Sequence, residues 1–202
     1  MVKRREALLA IKASLNDSYT YDVNPLLPTW VNHGECCEWE RVKCDTTGHV
    51  SELALKNVIS IVYEDYDRVW PLNISLFLHF NELRSLNLSW NYIDNTIITT
   101  GLASLSSLKK LERLDLSSNS IGNGVFPSLS ALTSLKVLDL SDNGLGGNFP
   151  AHGMSFCLQP YFFAQNEFLF RADDYSLHIY CRIGSFGKLG GIVSCWFSSV
   201  YI

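Results

Sequence analysis

One pattern of apolar residues recurs three times along this chain, and it constrains the possible fold more than any other feature. The spacing L-x-x-L-x-L-x-x-N-x-L, with isoleucine sometimes in the last place, runs over 83–93, 111–121 and 135–145. Successive asparagines of the pattern are 28 and 24 residues apart, at Asn91, Asn119 and Asn143. A period of this length is typical of a repeat architecture in which every repeat forms one coil.

The spacing predicts the shape of each coil. The two leucines of L-x-L point to the same face of a short strand, because side chains alternate along a strand. The earlier leucine turns the chain into the strand, and the asparagine turns it out by bonding backbone groups, so that stacked coils form an asparagine ladder. One coil cannot bury its own leucines, each of which contributes about 1.5 to 3 kcal/mol, so several coils must stack.

The predicted fold class is therefore an α/β repeat, a short leucine-rich repeat solenoid with parallel β strands on its concave face and a helical cap at its N-terminus. An amphipathic helical bundle is the alternative, and it would need apolar residues at i, i+3, i+4 and i+7. The segments 117–123 and 141–148 are rich in Ser, Asn and Gly, which argues against helices there.

The N-terminal segment predicts the cap. An amphipathic helix from Arg5 to Leu15 carries its apolar residues on one face, at Ala7, Leu8, Ile11 and Leu15. A proline-containing connector with the motif LPTW leads from this helix to GECCEWERVKC. The first strand is expected at Val50, Leu53 and Leu55, after the turn 46–48.

Six cysteines suggest an oxidising compartment. They are Cys36, Cys37, Cys44, Cys157, Cys181 and Cys195. A bond between Cys37 and Cys44 would close a loop of eight residues and contribute about 2.5 kcal/mol, leaving Cys36 without an obvious partner. A zinc site at Cys36, Cys37 and Cys44 with His33 or His49 is the alternative, but it lacks the paired C-x2-C spacing.

The segments ALLAIKASL, LPTW and CCEWERVKCDTTGHVSELAL, with repeats that end in N-x-L-x-G-x-F-P, resemble the N-terminal cap and first repeats of plant extracellular leucine-rich repeat proteins. These are receptor-like proteins, receptor-like kinases and inhibitors of polygalacturonase. The resemblance covers Arg5 to about Pro150. It implies a local Cys37–Cys44 disulfide, and a second bond from Cys36 to a cysteine just upstream of the helix that this sequence lacks.

We divide the chain into the cap (1–48), the repeats (49–168) and a tail without repeats (169–202). The repeats comprise the first strand, the three clear coils and one degenerate coil. The degenerate coil is expected to keep the register with Leu158, Tyr161, Phe163, Asn166 and Phe168. In the tail, 175–183 and 191–201 alternate loosely and allow a hairpin with Cys181 near Cys195. The tail equally fits the translation of an unspliced intron or a shifted frame.

The outward-facing residues of successive strands form columns on the concave face of a solenoid. The columns are Ser85, Arg113, Val137; Asn87, Asp115, Asp139; Ser89, Ser117, Ser141; and Trp90, Ser118, Asp142. An aromatic anchor beside charged residues is typical of recognition hot spots. We therefore predict a ligand-binding face of Ser85, Asn87, Trp90, Arg113, Asp115, Val137, Asp139 and Asp142. The alternative is that these are solvated strand residues without a ligand.

Three N-x-[ST] sequons, at Asn16, Asn73 and Asn87, are predicted glycosylation sites if the chain enters the secretory path. A glycan on Asn87 would stand on the concave side and block it locally.

Other functions find little support in the sequence. The formal net charge of -4 offers no basic field for nucleic acid. The tail motif IGSFGKLGG lacks the second glycine of a kinase loop and the Ser or Thr of a phosphate loop, so no nucleotide site is predicted. The acidic residues at 64, 65 and 67 lack calcium-loop spacing. With no H-E-x-x-H or G-x-S-x-G motif, we predict no enzyme, no cofactor and no metal.

The expected function is non-catalytic recognition of a peptide or protein ligand, with a possible co-receptor, by the truncated N-terminal ectodomain of a plant cell-surface receptor in defence or developmental signalling. A secreted inhibitor of the polygalacturonase-inhibiting kind and an inactive fragment of a mis-started or mis-spliced gene are the alternatives. The start MVKRREALLAIKASL has too short an apolar run for a signal peptide, and no stretch reaches the length of a membrane span. We expect the parent protein at the extracellular face of the plasma membrane.

Overall fold

A computed structural model describes residues 2–16, 27–59, 70, 72–95, 101–129 and 131–144, with three short strands further on. The helices are α1 (Val2–Asn16) and α2 (Phe126–Leu129), with 3-10 helices at Cys36–Glu38, Ile74–His79, Leu102–Ser107 and Asn123–Val125. The strands are β1 (Val42–Cys44), β2 (Val50–Ala54), β3 (Ser85–Asn87), β4 (Arg113–Asp115), β5 (Val137–Asp139), β6 (Glu167–Leu169), β7 (Leu177–Cys181) and β8 (Cys195–Ser199).

The strands confirm the predicted solenoid. β2 to β6 pair in parallel in chain order, and β1 adds to the edge of β2 in antiparallel orientation. Each strand is short because the coil turns away from the sheet after the second leucine of L-x-L. The 3-10 helices stack in a row of their own, where Ile74–His79 packs on Leu102–Ser107, which also contacts α2.

The leucines of the pattern form one continuous core. Equivalent leucines face each other from strand to strand in the sheet, at Leu53, Leu86, Leu114 and Leu138. These side chains are buried, as are the second leucines of each pair, at Leu55, Leu88, Leu116 and Leu140. Every coil is therefore closed by its neighbours, as the spacing predicts.

The asparagine ladder is also confirmed. Asn91 donates from Nδ2 to the carbonyls of Leu55 and Leu88, one in the preceding coil and one in its own. Asn119 repeats this with Leu88 and Leu116, and Asn143 repeats it with Leu116 and Leu140. Each side chain thus satisfies buried backbone groups in two coils at once.

The cap closes the first coil. Leu8, Ile11 and Leu15 of α1 are fully buried, as their helical spacing predicts. On the same helix, Lys12 Nζ donates to the carbonyls of Leu27 and Trp30, both at 2.9 Å. These bonds hold the chain that follows the helix against its side.

Aromatic side chains complete the cap. The rings of Trp30 and Trp39 stack with centroids 5.7 Å apart, and Trp30 Nε1 donates to the carbonyl of Glu40. Trp70 is buried and donates from Nε1 to Ser14 Oγ at 3.1 Å, which joins the repeat region to α1. The LPTW and CCEWE motifs therefore serve packing, since a buried indole N–H needs a partner.

The disulfide that the family resemblance implies for the cap is present. Cys37 and Cys44 form a disulfide. Cys36 is free and is half-buried. Burial raises the pKa of its thiol, and the charge of nearby Arg4 acts in the opposite direction.

The turn between β1 and β2 is built on Asp45. Its Oδ1 accepts hydrogen bonds from the Thr47 hydroxyl at 2.6 Å, the Thr47 amide at 2.8 Å and the His49 amide at 3.0 Å. The bond from the Thr47 hydroxyl, followed by the bond from the His49 amide, lowers the pKa of Asp45 from 3.8 to about 2.

This turn predicts a pH dependence. Because the pKa of Asp45 is lower in the folded state, its stabilising effect is present above about pH 4 and is lost as the pH falls through about 2. The variant Asp45→Asn keeps an oxygen acceptor but does not titrate. We expect the stability advantage of the wild type over this variant to shrink between pH 4 and pH 2, as measured by urea unfolding. An advantage that stays constant across this range would contradict the assignment.

The register predicted for the degenerate coil is wrong. A further strand does join the sheet, but Phe168 lies opposite Leu138, the place expected for Tyr161. Both 161–163 and 168–170 carry aromatic residues two apart, so the spacing alone cannot choose between them. The sheet accordingly reaches Leu169, one residue beyond the predicted end of the repeats.

The tail forms a two-stranded antiparallel sheet. β7 pairs with β8, and Cys181 lies opposite Cys195 in the backbone register. The backbone pairing agrees with the predicted hairpin. The segment 182–194 between these two strands, the acidic residues 64, 65 and 67, and Leu158, Tyr161, Phe163 and Asn166 lie outside the described residues.

Candidate ligand-binding face

The sheet brings the predicted columns together. Ser85, Arg113 and Val137 lie side by side in the register of β3, β4 and β5, and Asn87, Asp115 and Asp139 form the next column. Arg113 is exposed, and the other five are half-buried. Neighbouring parallel strands are about 4.8 Å apart, so each column presents closely spaced side chains.

The second column stabilises the coil itself. Asn87 Oδ1 accepts from the amide and hydroxyl of Ser89, and Asp115 does the same with Ser117. Asp139 and Ser141 repeat this arrangement. Such Asx turns end each strand. The repeated L-[ND]-L-S sequence is a signal for these turns, and it gives the column a structural role that sequence analysis did not assign.

Charges at the entry to the strands are paired across coils. Glu112 lies between Lys136 Nζ at 2.9 Å and Arg84 Nη1 at 3.8 Å. The hydrogen bond from Lys136 lowers the pKa of the Glu112 carboxyl, and the charges of Arg84 and Arg113 act in the same direction. These exposed pairs add little stability. Arg113 contributes the exposed positive charge of the predicted face.

The residues that follow the parallel strands β2 to β5 adopt a left-handed backbone conformation. Asn57, Trp90, Ser118 and Asp142 occupy equivalent places in successive coils, with φ of 50°, 61°, 52° and 52°. The amide of each of the first three bonds to a carbonyl of the next coil, so stacking imposes the conformation. Asn and Asp tolerate it well, whereas a bulky side chain such as that of Trp90 is strained by it.

Trp90 and Tyr92 are the exposed large hydrophobic residues of the described part of the chain, with 54% and 42% of their surface accessible. Both have positive φ, and the fully buried Asn91 lies between them. Sequence analysis included Trp90 in the ligand-binding face but missed Tyr92, because it lies beyond the strand columns. We call these two residues the aromatic edge of the face.

The sequons differ in their surroundings. Asn73 is exposed at the start of the 3-10 helix Ile74–His79, and Asn87 lies on the sheet. Asn16 is the last residue of α1.

The described residues contain no group of three His, Cys, Asp or Glu side chains placed to hold a metal ion. Within the same part of the chain, none of the helices has the length and apolar character that crossing a bilayer requires.

Known families match the two parts of the fold. Residues 3–45 match the leucine rich repeat N-terminal domain, and residues 110–132 and 131–148 match leucine rich repeats. Receptor-like protein 1 of Arabidopsis thaliana is 42% identical over 106 residues, which cover 50% of this chain and 10% of that protein. Receptor like protein 21 of the same plant is 39% identical over 160 residues, 75% of this chain and 16% of that protein.

Solved structures share the fold. The Arabidopsis receptor kinase HAESA, in complex with the peptide hormone IDA and the co-receptor SERK1, matches 75% of this chain and 27% of its own, with a TM-score of 0.52 and 22% identity. A plant ice-binding protein matches 86% of this chain and 63% of its own, with a TM-score of 0.50 and 22% identity. At these identities the likeness concerns the fold alone.

The chain is much shorter than its curated relatives. It spans 10% and 16% of the length of the two receptor-like proteins above. The part it shares with them comprises the cap with its disulfide and the first coils of the solenoid. Over its cap, with the disulfide, and over its first coils, the chain is therefore similar to the plant leucine-rich repeat receptor-like proteins.

Proposed function

We propose that the chain is a non-catalytic recognition module that binds a peptide or protein segment with the concave face and the aromatic edge. Arg113 supplies an exposed charge on this face, and Trp90 and Tyr92 supply exposed apolar surface in the turn that follows β3. Tryptophan, tyrosine and arginine are the residues enriched at binding hot spots. The residues Ser85 and Val137 flank Arg113 and complete the contact surface.

The observation that carries this proposal is the conformation of Trp90. A tryptophan is both exposed and held at a φ of 61°, in a place that Asn57 and Asp142 fill in other coils. A strained bulky residue on the surface neither fills the core nor relaxes the backbone. Residues held in a strained backbone cluster at active sites, ligand clamps and switch regions.

The relatives support the same role. The curated relatives are named receptor-like proteins, and HAESA, which shares the fold, is bound to a peptide hormone and a co-receptor. We extend these roles to this chain as part of the proposal and place the parent protein at the extracellular face of the plasma membrane. The Asx-turn residues Asn87, Asp115 and Asp139 then serve mainly to shape the face.

The variant Trp90→Asn separates binding from folding. Asparagine tolerates the left-handed backbone, so the free energy of unfolding should stay the same or rise by up to about 1 kcal/mol. Urea unfolding of both proteins measures this difference. A loss of more than about 1 kcal/mol would mean that Trp90 is retained for packing and would remove the observation that carries the proposal.

Binding is tested with a phage-displayed library of random peptides, selected against the purified chain. We expect enriched peptides to bind Trp90→Asn at least about thirtyfold more weakly than the wild type, as removal of a hot spot predicts. Lys109→Ala is the matched control, because Lys109 is exposed and outside the face, and its binding should not change. A library that yields no binders, or binders insensitive to Trp90→Asn, would overturn the proposal.

A further inference from the structure

Two of the three sequons share one local geometry but differ in their environment. In both, the asparagine Oδ1 accepts hydrogen bonds from the amide and hydroxyl of the serine two residues later. These distances are 3.0 and 2.6 Å for Asn73 with Ser75, and 2.9 and 2.7 Å for Asn87 with Ser89. Any difference between these two sequons must therefore come from what surrounds them.

The environment of Asn73 leaves its amide nitrogen open. Asn73 and Ser75 are both exposed, and Asn73 Nδ2 makes no hydrogen bond to the described residues. The site lies at the start of the 3-10 helix Ile74–His79, in the row of helices and away from the strands. A large polar group on this nitrogen would extend into solvent.

The environment of Asn87 closes its amide nitrogen. Asn87 Nδ2 donates to Asp115 Oδ2 at 2.8 Å, across the paired strands β3 and β4. Asn87 is half-buried, and Ser89 is only 1% exposed. A sugar on this nitrogen would compete with the contact between two coils.

We propose that Asn73 carries an N-linked glycan in the folded, secreted protein and that Asn87 does not. In the transfer, the carboxamide nitrogen of Asn73 attacks the anomeric carbon of a lipid-linked diphospho-oligosaccharide. An N–C bond forms, the C–O bond to the diphosphate breaks, the lipid diphosphate leaves, and the transferase takes one proton from the nitrogen. This inference rests on the proposed function only in requiring that the chain enters the secretory path.

The location of the glycan has a consequence for the binding face. A glycan at Asn73 shields the helical row and leaves the concave face and the aromatic edge open, whereas a glycan at Asn87 would cover the face. Chains that receive a sugar on Asn87 before they fold would have difficulty in pairing β3 with β4. The secreted pool should therefore be depleted of them relative to the pool retained in the cell.

The test is to secrete the full chain from yeast behind a cleavable leader and to map site occupancy. Treatment with peptide N-glycosidase in ¹⁸O water converts each glycosylated asparagine to a labelled aspartate, which mass spectrometry detects. We expect most secreted copies to be labelled at Asn73 and few at Asn87. Absence of label at Asn73, or equal label at both residues, would overturn the inference.

A second variant guards against effects on folding. Asn73→Asp keeps an oxygen that accepts from the Ser75 amide, so the start of the helix is preserved, but it cannot be glycosylated. We expect this variant to be secreted with one glycan fewer than the wild type. An unchanged number of glycans would overturn the inference. Because this readout needs no ligand, its failure is distinct from a failure of peptide binding.

Discussion

Replacement of Asn91 with alanine is expected to lower the free energy of unfolding by about 3 kcal/mol or more. Asn91 is fully buried. Its Oδ1 accepts from the amides of Val58 and Ile59, and its Nδ2 donates to the carbonyls of Leu55 and Leu88. Alanine would leave these buried backbone groups without partners, and each such group costs about 1 to 3 kcal/mol. Urea unfolding followed by circular dichroism measures the loss.

The isosteric variant Asn91→Asp shows whether the free energy of unfolding depends on the shape of this side chain or on its hydrogen bonds. Aspartate keeps the acceptor oxygens but places a buried charge against the carbonyls of Leu55 and Leu88 and loses both donors. Burial raises the pKa of such a group, so the loss should shrink as the pH falls and the acid regains a proton. Ser120→Ala, at an exposed serine of the next coil, is the control and should stay within about 0.5 kcal/mol of the wild type. If Asn91→Ala costs no more than this control, the ladder does not hold the coils together.

The same chemistry explains what was predictable from the sequence. The leucine columns and the asparagine ladder follow from spacing, because a period of two fixes the face of a strand and a buried amide must find backbone partners. Leu86 opposite Leu114 and Asn119 between two coils are direct consequences. The apolar face of α1 follows in the same way from helical spacing.

Other features depend on contacts that the spacing does not contain. Asp115 faces outward in the pattern, yet its oxygens bond Ser117 and Asn87, so an outward position is not the same as an available one. The strain at Trp90 arises because its amide bonds the carbonyl of Ser117 in the next coil. The register predicted for the last coil was wrong because aromatic pairs at two places satisfy the same spacing, and only the backbone pairing of residue 168 with Leu138 distinguishes them.

A charge introduced into the buried face of the cap helix should cost even more stability than the loss of Asn91. Ile11 is fully buried in α1, and α1 packs on the 3-10 helix Ile74–His79 of the following coil. We expect Ile11→Asp to lower the free energy of unfolding by about 4 kcal/mol or more, because an unpaired carboxylate would lie in an apolar contact. This is a large part of the roughly 5 to 15 kcal/mol typical of a folded domain.

The reason lies in the architecture of a solenoid, whose terminal coil exposes its leucines unless a cap covers them. Undocking of α1 would uncover Trp70, which donates to Ser14 of that helix. The tryptophan fluorescence of the protein, to which Trp70 contributes, should therefore shift to the red together with the loss of stability. Ala13→Asp is the matched control on the exposed side of the same helix. It should cost only about 1 kcal/mol, from the lower helix propensity of aspartate and from its negative charge in the last turn of the helix. If both variants lower the free energy of unfolding equally, α1 is not docked on the solenoid. Docking predicts a larger loss at residue 11, which lies on the buried side of the helix, than at residue 13, which lies on the exposed side.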